Sequence, residues 1–326
     1  LHIIDEIGRG TSTFDGLSIR DPRSGRFERY VHTSEPGSLS HNSIRSIFID
    51  AQRGVWLGTY YGGVSYYHPL ARRFGVLRHD PTRNSLGDNT VSCIVEDPES
   101  GSLWIGTNDD GVNLYDRRTG RFSEFNTASG SLLSNNVKCV LPDGRGRVWI
   151  GTHAGGLSSM DAATRRVRHY PVNASIPINN SCYALLDGGD GTLWVGTLNG
   201  LLSFDTAAGR FSRHLCADYE PRLGSLQITT LFRDSKNRVW IGTGAGLYLW
   251  QPDVRQVMTC ELTPVKDETS PPRRDITVMC VTEDSHRNIW VGTRHGLFRY
   301  NASDNSFTRF TVADGLPNDF VYGILE

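Results

Sequence analysis

Residues able to do chemistry occur throughout this chain, but they do not fall into a catalytic pattern. Ten histidines are scattered along it, with no H-x-x-x-H or H-x-H pair of the kind that ligates a metal. No G-x-S-x-G turn raises a serine nucleophile, and no Cys-His pairing recurs at useful spacing. Gly-Lys never occurs, so there is no G-x-x-x-x-G-K-[ST] loop to cradle phosphate. These absences predict no catalytic residue, no metal and no cofactor. What remains is a set of polar and aromatic pairs at matching places: Tyr60-Tyr61, Asn108-Asp109-Asp110, His153-Ala154, Leu198-Asn199, Gly244-Ala245 and Arg294-His295. Flat aromatics beside amides and carboxylates suit sugar rings and their hydroxyls, and an arginine can pair with a uronate or a sulfate. Tyr60, Tyr61, Asn108, Asp109, Asp110, His153, Asn199, Arg294 and His295 are therefore the candidate ligand-binding residues.

The frame that positions them is a repeat. Six copies of one phrase occur: Trp56-Leu57-Gly58-Thr59, Trp104-Ile105-Gly106-Thr107, Trp149-Ile150-Gly151-Thr152, Trp194-Val195-Gly196-Thr197, Trp240-Ile241-Gly242-Thr243 and Trp290-Val291-Gly292-Thr293. Successive tryptophans stand 45 to 50 residues apart, a period that signals a repeat architecture. Each unit holds four short apolar runs rich in β-branched and aromatic residues and bounded by Gly, Asp or Asn, the signature of strands. No run has the length and period of a helix. Four antiparallel strands per unit is a β-propeller blade. The candidate pairs then fall in the turns between second and third strands. These emerge on the same face as the linkers holding Asn42, Asn89 and Asn136.

The ends set the expected blade count. Gly10-Thr11 precedes Gly58-Thr59 by 48 residues, with Gly8 in the tryptophan slot, and residues up to about Tyr30 read as a third and fourth strand. Phe320-Val321-Tyr322-Gly323-Ile324-Leu325-Glu326 reads as a first strand with no blade after it. The expectation is an all-β, seven-bladed β-propeller, a single domain over residues 1–326. It would be closed by strand 320–326 joining the N-terminal strands. Residues 1–18 are atypical. Ile4-Asp5-Glu6-Ile7-Gly8-Arg9-Gly10-Thr11-Ser12-Thr13-Phe14-Asp15-Gly16 resembles the Asp-Glu segment of MutS-type mismatch-repair ATPases, which implies Mg²⁺ and water activation for Asp5 and Glu6. Without a phosphate loop those acids have no nucleotide to act on.

The repeat carries a second resemblance. Asp-x-x-Gly-x-Leu-Trp-Ile-Gly-Thr, then Gly-Leu, Tyr-Asp and Thr-Gly-Arg-Phe, is similar to the regulator-propeller repeat of bacterial hybrid two-component sensor ectodomains, over residues 10–326. That resemblance implies a periplasmic, ligand-sensing propeller, a homodimer in the full-length protein, with a histidine kinase and membrane span lying in further segments. The acid-to-tryptophan spacing, as from Asp50 to Trp56, is also that of the sialidase Asp-box, whose carboxylate caps a hairpin turn. Two other readings stay open: a propeller polysaccharide lyase or glycosidase, and a protein-interaction scaffold.

Bulk properties narrow the partners. The net charge is −1, so nothing draws the chain to nucleic acid or an anionic membrane. No apolar stretch reaches the length of a membrane span. Cys93, Cys139 and Cys280 share one slot on first strands where space is tight, and a buried, unbridged thiol is expected there. An oligosaccharide is the expected partner.

Overall fold

Each Trp-x-Gly-Thr phrase is the second strand of a four-stranded antiparallel sheet. The computed structural model describes all residues except 1, 7–15, 21–26, 36, 51–53, 68–73, 173–179, 263–275, 317 and 326. Blade 1 comprises Ile44–Ile49, Val55–Thr59, Val64–Tyr67 and Phe74–Leu77, and blade 2 Val91–Glu96, Leu103–Thr107, Val112–Asp116 and Arg121–Phe125. Blades 3 to 6 begin at Val137, Cys182, Ile228 and Val278 and end at Tyr170, Arg213, Cys260 and Phe310. Each consists of four consecutive strands paired in chain order. The chain divides into two compact units, Val31–Val195 with Phe204–Phe211, and Leu1–Tyr30 with Gly196–Ser203 and Ser212–Glu326. Among the described residues no helix is long and apolar enough to cross a membrane.

The expected seven blades are corrected to six. Six sheets follow the repeat. The chain ends form a sheet of another make, in the order Val321–Leu325, His2–Glu6, Leu17–Arg20, Phe27–Tyr30. The expected pairing of the C-terminal strand with the N-terminal segment is present, Ile3 facing Leu325 and Ile4 facing Ile324. Its second strand is His2–Glu6, not the Gly8 to Thr11 stretch that the spacing suggested. That strand has neither the tryptophan nor the Gly-Thr pair on which the other six are built. Gly8 and Gly10-Thr11 themselves lie outside the described residues, as does the proline-rich linker from Thr263 to Arg274.

The phrase folds this way because each of its residues has a separate task. The glycine gives the next blade room. A Cβ on Gly106 would lie 2.6 Å from Cys93 Sγ and 2.8 Å from Val137 Cγ1, the first residue of blade 3. Gly58 meets Val91, Gly151 meets Cys182, Gly242 meets Val278 and Gly292 meets Val321 in the same way. The tryptophan fills the gap between blades. Trp56 packs against Tyr115, Trp149 against Phe204 and Trp240 against Tyr300, ring centroids 6.0, 5.5 and 5.1 Å apart. Each partner comes from the third strand of the following blade, which explains the large apolar residue before the Asp or Asn that ends that strand. Trp104, Trp149 and Trp240 are at most 1% exposed, Trp56 and Trp194 remain buried, and Trp290 is half-buried. The six indoles are therefore not equivalent.

The acid before each phrase caps its turn, as the Asp-box spacing predicts. Asp284 Oδ1 accepts from the backbone N–H of His286 and Asn288, at 3.0 and 2.7 Å. Its other oxygen does something the sequence reading did not foresee. Asp284 Oδ2 accepts the Trp290 indole N–H at 2.8 Å, as Asp50 does from Trp56, Asp97 from Trp104 and Asp234 from Trp240. One carboxylate thus ties the hairpin turn to the indole that fills the gap between blades. All six cysteines are free thiols. Burial pushes the Cys93 thiol up to about 11 and that of Cys260 to about 12.

Trp104→Ala should destabilise by about 3–5 kcal/mol and Trp290→Ala by less, read from urea midpoints. A pH dependence also follows. Burial alone would raise the Asp97 and Asp284 carboxyls. The indole N–H and the turn donors outweigh it, and both carboxyls lie below their ordinary value. The unfolded chain therefore takes up these protons first. The stability supplied by the caps is complete above the unfolded value of about 3.9 and is lost as pH falls through the lower native values. Urea midpoints should hold level to about pH 5 and then drop, less steeply in an Asp97→Asn, Asp284→Asn variant.

Candidate functional site

The turns carrying the candidate residues are held by two hydrogen-bond systems, and neither uses the side chains that vary. The threonine of each phrase spans its own turn: Thr59 Oγ1 donates to Gly63 O at 2.8 Å and Thr107 Oγ1 to Gly111 O at 3.0 Å. Thr152, Thr197, Thr243 and Thr293 make the corresponding bond. The same hydroxyl accepts a turn N–H, from Gly62 on Thr59 and from Asp110 on Thr107. The first turn residue then donates its N–H to the residue preceding the first strand: Tyr60 to Ser43 O at 2.9 Å, Asn108 to Thr90 O at 3.0 Å and His153 to Asn136 O at 2.8 Å. In the other unit Gly244 and Arg294 do the same with Gln227 and Thr277. A fixed backbone therefore presents a different side chain from blade to blade.

In the unit holding blades 1 to 3, the first group is aromatic. Tyr60 and Tyr61 stand edge to face with ring centroids 4.2 Å apart, and Tyr61 is 62% exposed. The Arg45 guanidinium lies over the Tyr60 ring, 4.3 Å from its centroid, and His41 is edge-on to Tyr61 at 6.0 Å. A hydrogen bond to the Tyr60 hydroxyl is the main cause raising the Tyr61 phenol above its ordinary value, and Asp109 adds to the rise.

The second group brings together Asn108 and His153 through residues that the sequence reading missed. Lys138 Nζ donates to Asn108 Oδ1 at 3.3 Å and lies 5.9 Å from the centroid of the Tyr183 ring. Tyr183 Oη and Ser181 Oγ are each 3.2 Å from His153 Nδ1. Burial, and then the Lys138 charge, lower the His153 imidazole below its ordinary value.

Asp109 and Asp110 differ despite being neighbours. Asp109 is exposed, and its carbonyl accepts from Asn135 Nδ2 at 2.9 Å. Asp110 is drawn inward: Oδ1 accepts from Asn126 Nδ2 at 2.9 Å, and a Cβ on Gly87 would collide with Oδ2. Asn199, Arg294 and His295 belong to the other unit. There Asn199 is exposed at its turn, the Arg294 guanidinium lies 5.5 Å from the Phe320 centroid, and His295 Nδ1 is 2.6 Å from Arg294 O.

The linker asparagines have a structural task. Asn42 Oδ1 accepts from His32 N, and Asn89 Oδ1 from His79 N at 2.8 Å. Asn135, rather than Asn136, does this for Thr127, and Asn180 for Val172. Each closes the chain leaving a fourth strand onto the approach to the next first strand.

Arg45 and Lys138 share a feature of the backbone. A register shift near the start of each of these first strands leaves one extra residue, between Ile44 and Ser46 and between Val137 and Cys139. Ser92 occupies that place in blade 2, Thr229 in blade 5 and Met279 in blade 6. Such a bulge re-aims a side chain that strict alternation would place elsewhere. The signal lay in the sequence as a cation one residue into an apolar run, Ile44-Arg45-Ser46-Ile47 and Val137-Lys138-Cys139-Val140.

Thr107→Val should cost about 1–3 kcal/mol, because it leaves the Asp110 N–H without its acceptor and removes one of the two donors to the buried Gly111 carbonyl, which keeps the Thr107 N–H. Tyr61→Ala and Asn108→Ala should leave the melting temperature nearly unchanged. Differential scanning calorimetry of the three variants checks this separation of scaffold from variable surface.

Comparison with known proteins places these features. Residues 38–61, 85–109, 131–154 and 222–245 match the two component regulator propeller family. No curated protein matches the chain. Among solved structures it is similar to the extracellular domain of a hybrid two-component system of B. thetaiotaomicron. That match has 24% identity and a TM-score of 0.74, over 89% of this chain and 38% of that one. PorZ, a surface component of the type-IX secretion system of Porphyromonas gingivalis, is 18% identical with a TM-score of 0.55, over 79% of this chain and 38% of its own. The β-propeller domain of Myceliophteria thermophila Cps50 is 12% identical with a TM-score of 0.58, over 82% of this chain and 85% of that one. At these identities the likeness is one of fold, which does not fix function. The chain spans well under half the length of the first two. It is an all-β protein of four-stranded propeller blades, four stretches of which match the two component regulator propeller family.

Proposed function

We propose that the chain is the extracytoplasmic ligand-sensing part of a hybrid two-component sensor, binding an oligosaccharide without chemically changing it. The observation that carries this reading is the division of labour at the turns. Backbone hydrogen bonds repeat from blade to blade, while the residues they present change from Tyr60-Tyr61 to Asn108-Asp109 to His153. Tyr61 is largely exposed beside a second ring, and such a pair offers a stacking surface to a sugar face. Amide, imidazole and ammonium groups stand on the neighbouring blades to meet hydroxyls. The regulator-propeller repeats and the likeness to the B. thetaiotaomicron extracellular domain support sensing as the purpose of that binding. The full-length protein would be a homodimer placing this part in the periplasm. Ligand binding would bias the assembly between two arrangements.

Calorimetry across a panel of oligosaccharides, run beside a product assay, tests the proposal. Binding without cleavage is expected, weakened about tenfold or more by Tyr60→Ala, Tyr61→Ala. Turnover of any polysaccharide in the panel would favour the lyase or glycosidase reading instead.

A further inference from the structure

We infer that the outer edge of blade 1 docks an extended peptide of a partner protein, which pairs with strand Phe74–Leu77, sets an aromatic side chain in the cavity beside it and brings a carboxylate to Arg78. This surface is separate from the variable turns and does not rest on saccharide binding. Phe74–Leu77 is the last strand of its sheet. Gly75, Val76 and Leu77 make no hydrogen bond beyond their pairing with Val64–Tyr67, so the outward N–H and C=O groups are open to another strand. Proteins blunt such edges with charge or cover them. The last strands of blades 2, 3, 4 and 6 carry Arg121, Arg168, Arg210 and Arg309. That of blade 5, Gln256–Cys260, is uncharged, and the helix Cys216–Tyr219 packs beside it. Phe-Gly-Val-Leu carries no charge, and Gly75 and Val76 are exposed.

Two cavities meet at Val76, and they differ in character. The larger, of about 930 Å³, has walls of Trp56, Tyr66 and Tyr115. Arg117 at its margin is matched by Asp50 and Glu96. The Tyr66 and Tyr115 hydroxyls have no hydrogen-bond partner among the described residues. Burial raises both phenols above their ordinary value, so they stay neutral and able to donate. This cavity suits an uncharged aromatic side chain with a polar tip. The smaller, of about 300 Å³, is lined by Arg78. That guanidinium donates to Gly62 O at 3.2 Å and Ser40 O at 3.0 Å and meets no carboxylate among the described residues, so its charge is complementary to an acid. Strand addition draws affinity from main-chain bonds and specificity from pockets for alternate side chains. An edge with an aromatic cavity and a cation along it provides both. A second copy of the same strand would bring no acid to Arg78, because Phe-Gly-Val-Leu holds none.

The test titrates the full chain with the acetylated, amidated peptide Thr-Glu-Thr-Val-Thr-Tyr-Thr, whose Glu, Val and Tyr share one face when extended. Antiparallel pairing sets its Glu toward Arg78. Binding is expected, and it should weaken about tenfold or more when the Glu becomes Lys, when the Tyr becomes Ala, or when two prolines at the centre remove the ladder donors. Val76→Lys, which places a charge on the edge, should weaken the parent peptide by a similar factor, and Arg78→Gln should erase the preference for Glu over Lys. Thermal melts confirm that both variants fold. Oligosaccharide titrations of Val76→Lys should match the parent chain, which keeps the two proposals apart. If the parent peptide does not bind, if the proline peptide binds as tightly, or if Val76→Lys leaves binding unchanged, the docking edge is refuted. A concentration-dependent dimer that Val76→Lys dissolves would assign the edge to a second copy and overturn it as well.

Discussion

Adjacent blades approach one another at the glycine of Trp-x-Gly-Thr, and the other repeated residues serve that contact. At Gly106 the missing side chain is the space that Val137 of the next blade occupies, with the Cys93 thiol beside it. Once two first strands lie that close, the outer parts of the blades splay apart and leave a wedge. Trp104 fills it against the core of blade 3, with Val140, Val148 and Met160. An indole is large enough for the wedge, but its N–H cannot be left without a partner inside an apolar core. Asp97 supplies the acceptor, and its second oxygen is already committed to the turn. Glycine, tryptophan and aspartate therefore form one linked solution.

The same contact explains why the opposite turns are free to vary. Thr107 ties the turn to its own strand, and the Asn108 N–H ties it to the approach of the first strand. With the backbone held at both points, the turn itself does not depend on which side chain stands at Tyr60, Asn108 or His153. A scaffold that is over-determined at its core and under-determined at one set of turns can change its ligand without changing its fold.

Most of the blade plan was legible in the sequence because each repeated residue has a repeated cause. The tryptophan spacing gave the strands, and the acid before each phrase gave the capped turn. Three things were not legible, for different reasons. The blade count came out one too high because Gly10-Thr11 has the right spacing, whereas the strand that pairs in the terminal sheet is His2–Glu6. The linker asparagines read as polar residues reaching the face of the variable turns, yet Asn89 and Asn135 spend their side-chain carbonyls on backbone N–H groups eight to ten residues away. Arg45 and Lys138 went unnoticed because the bulge breaks the alternation from which facing is inferred. The candidate turn residues were found by their disagreement between repeats. Their partners lay on the strands that agree.

The most direct measurement of the account is hydrogen exchange of the full chain with and without a saturating oligosaccharide that calorimetry has shown to bind. Peptides covering residues 41–45, 60–63, 108–111, 136–138 and 153–155 should gain protection, while the capped turns at residues 97–101 and 143–147 stay unchanged. Protection confined to those capped turns would contradict the claim that the variable turns and the bulged first strands form the recognition surface.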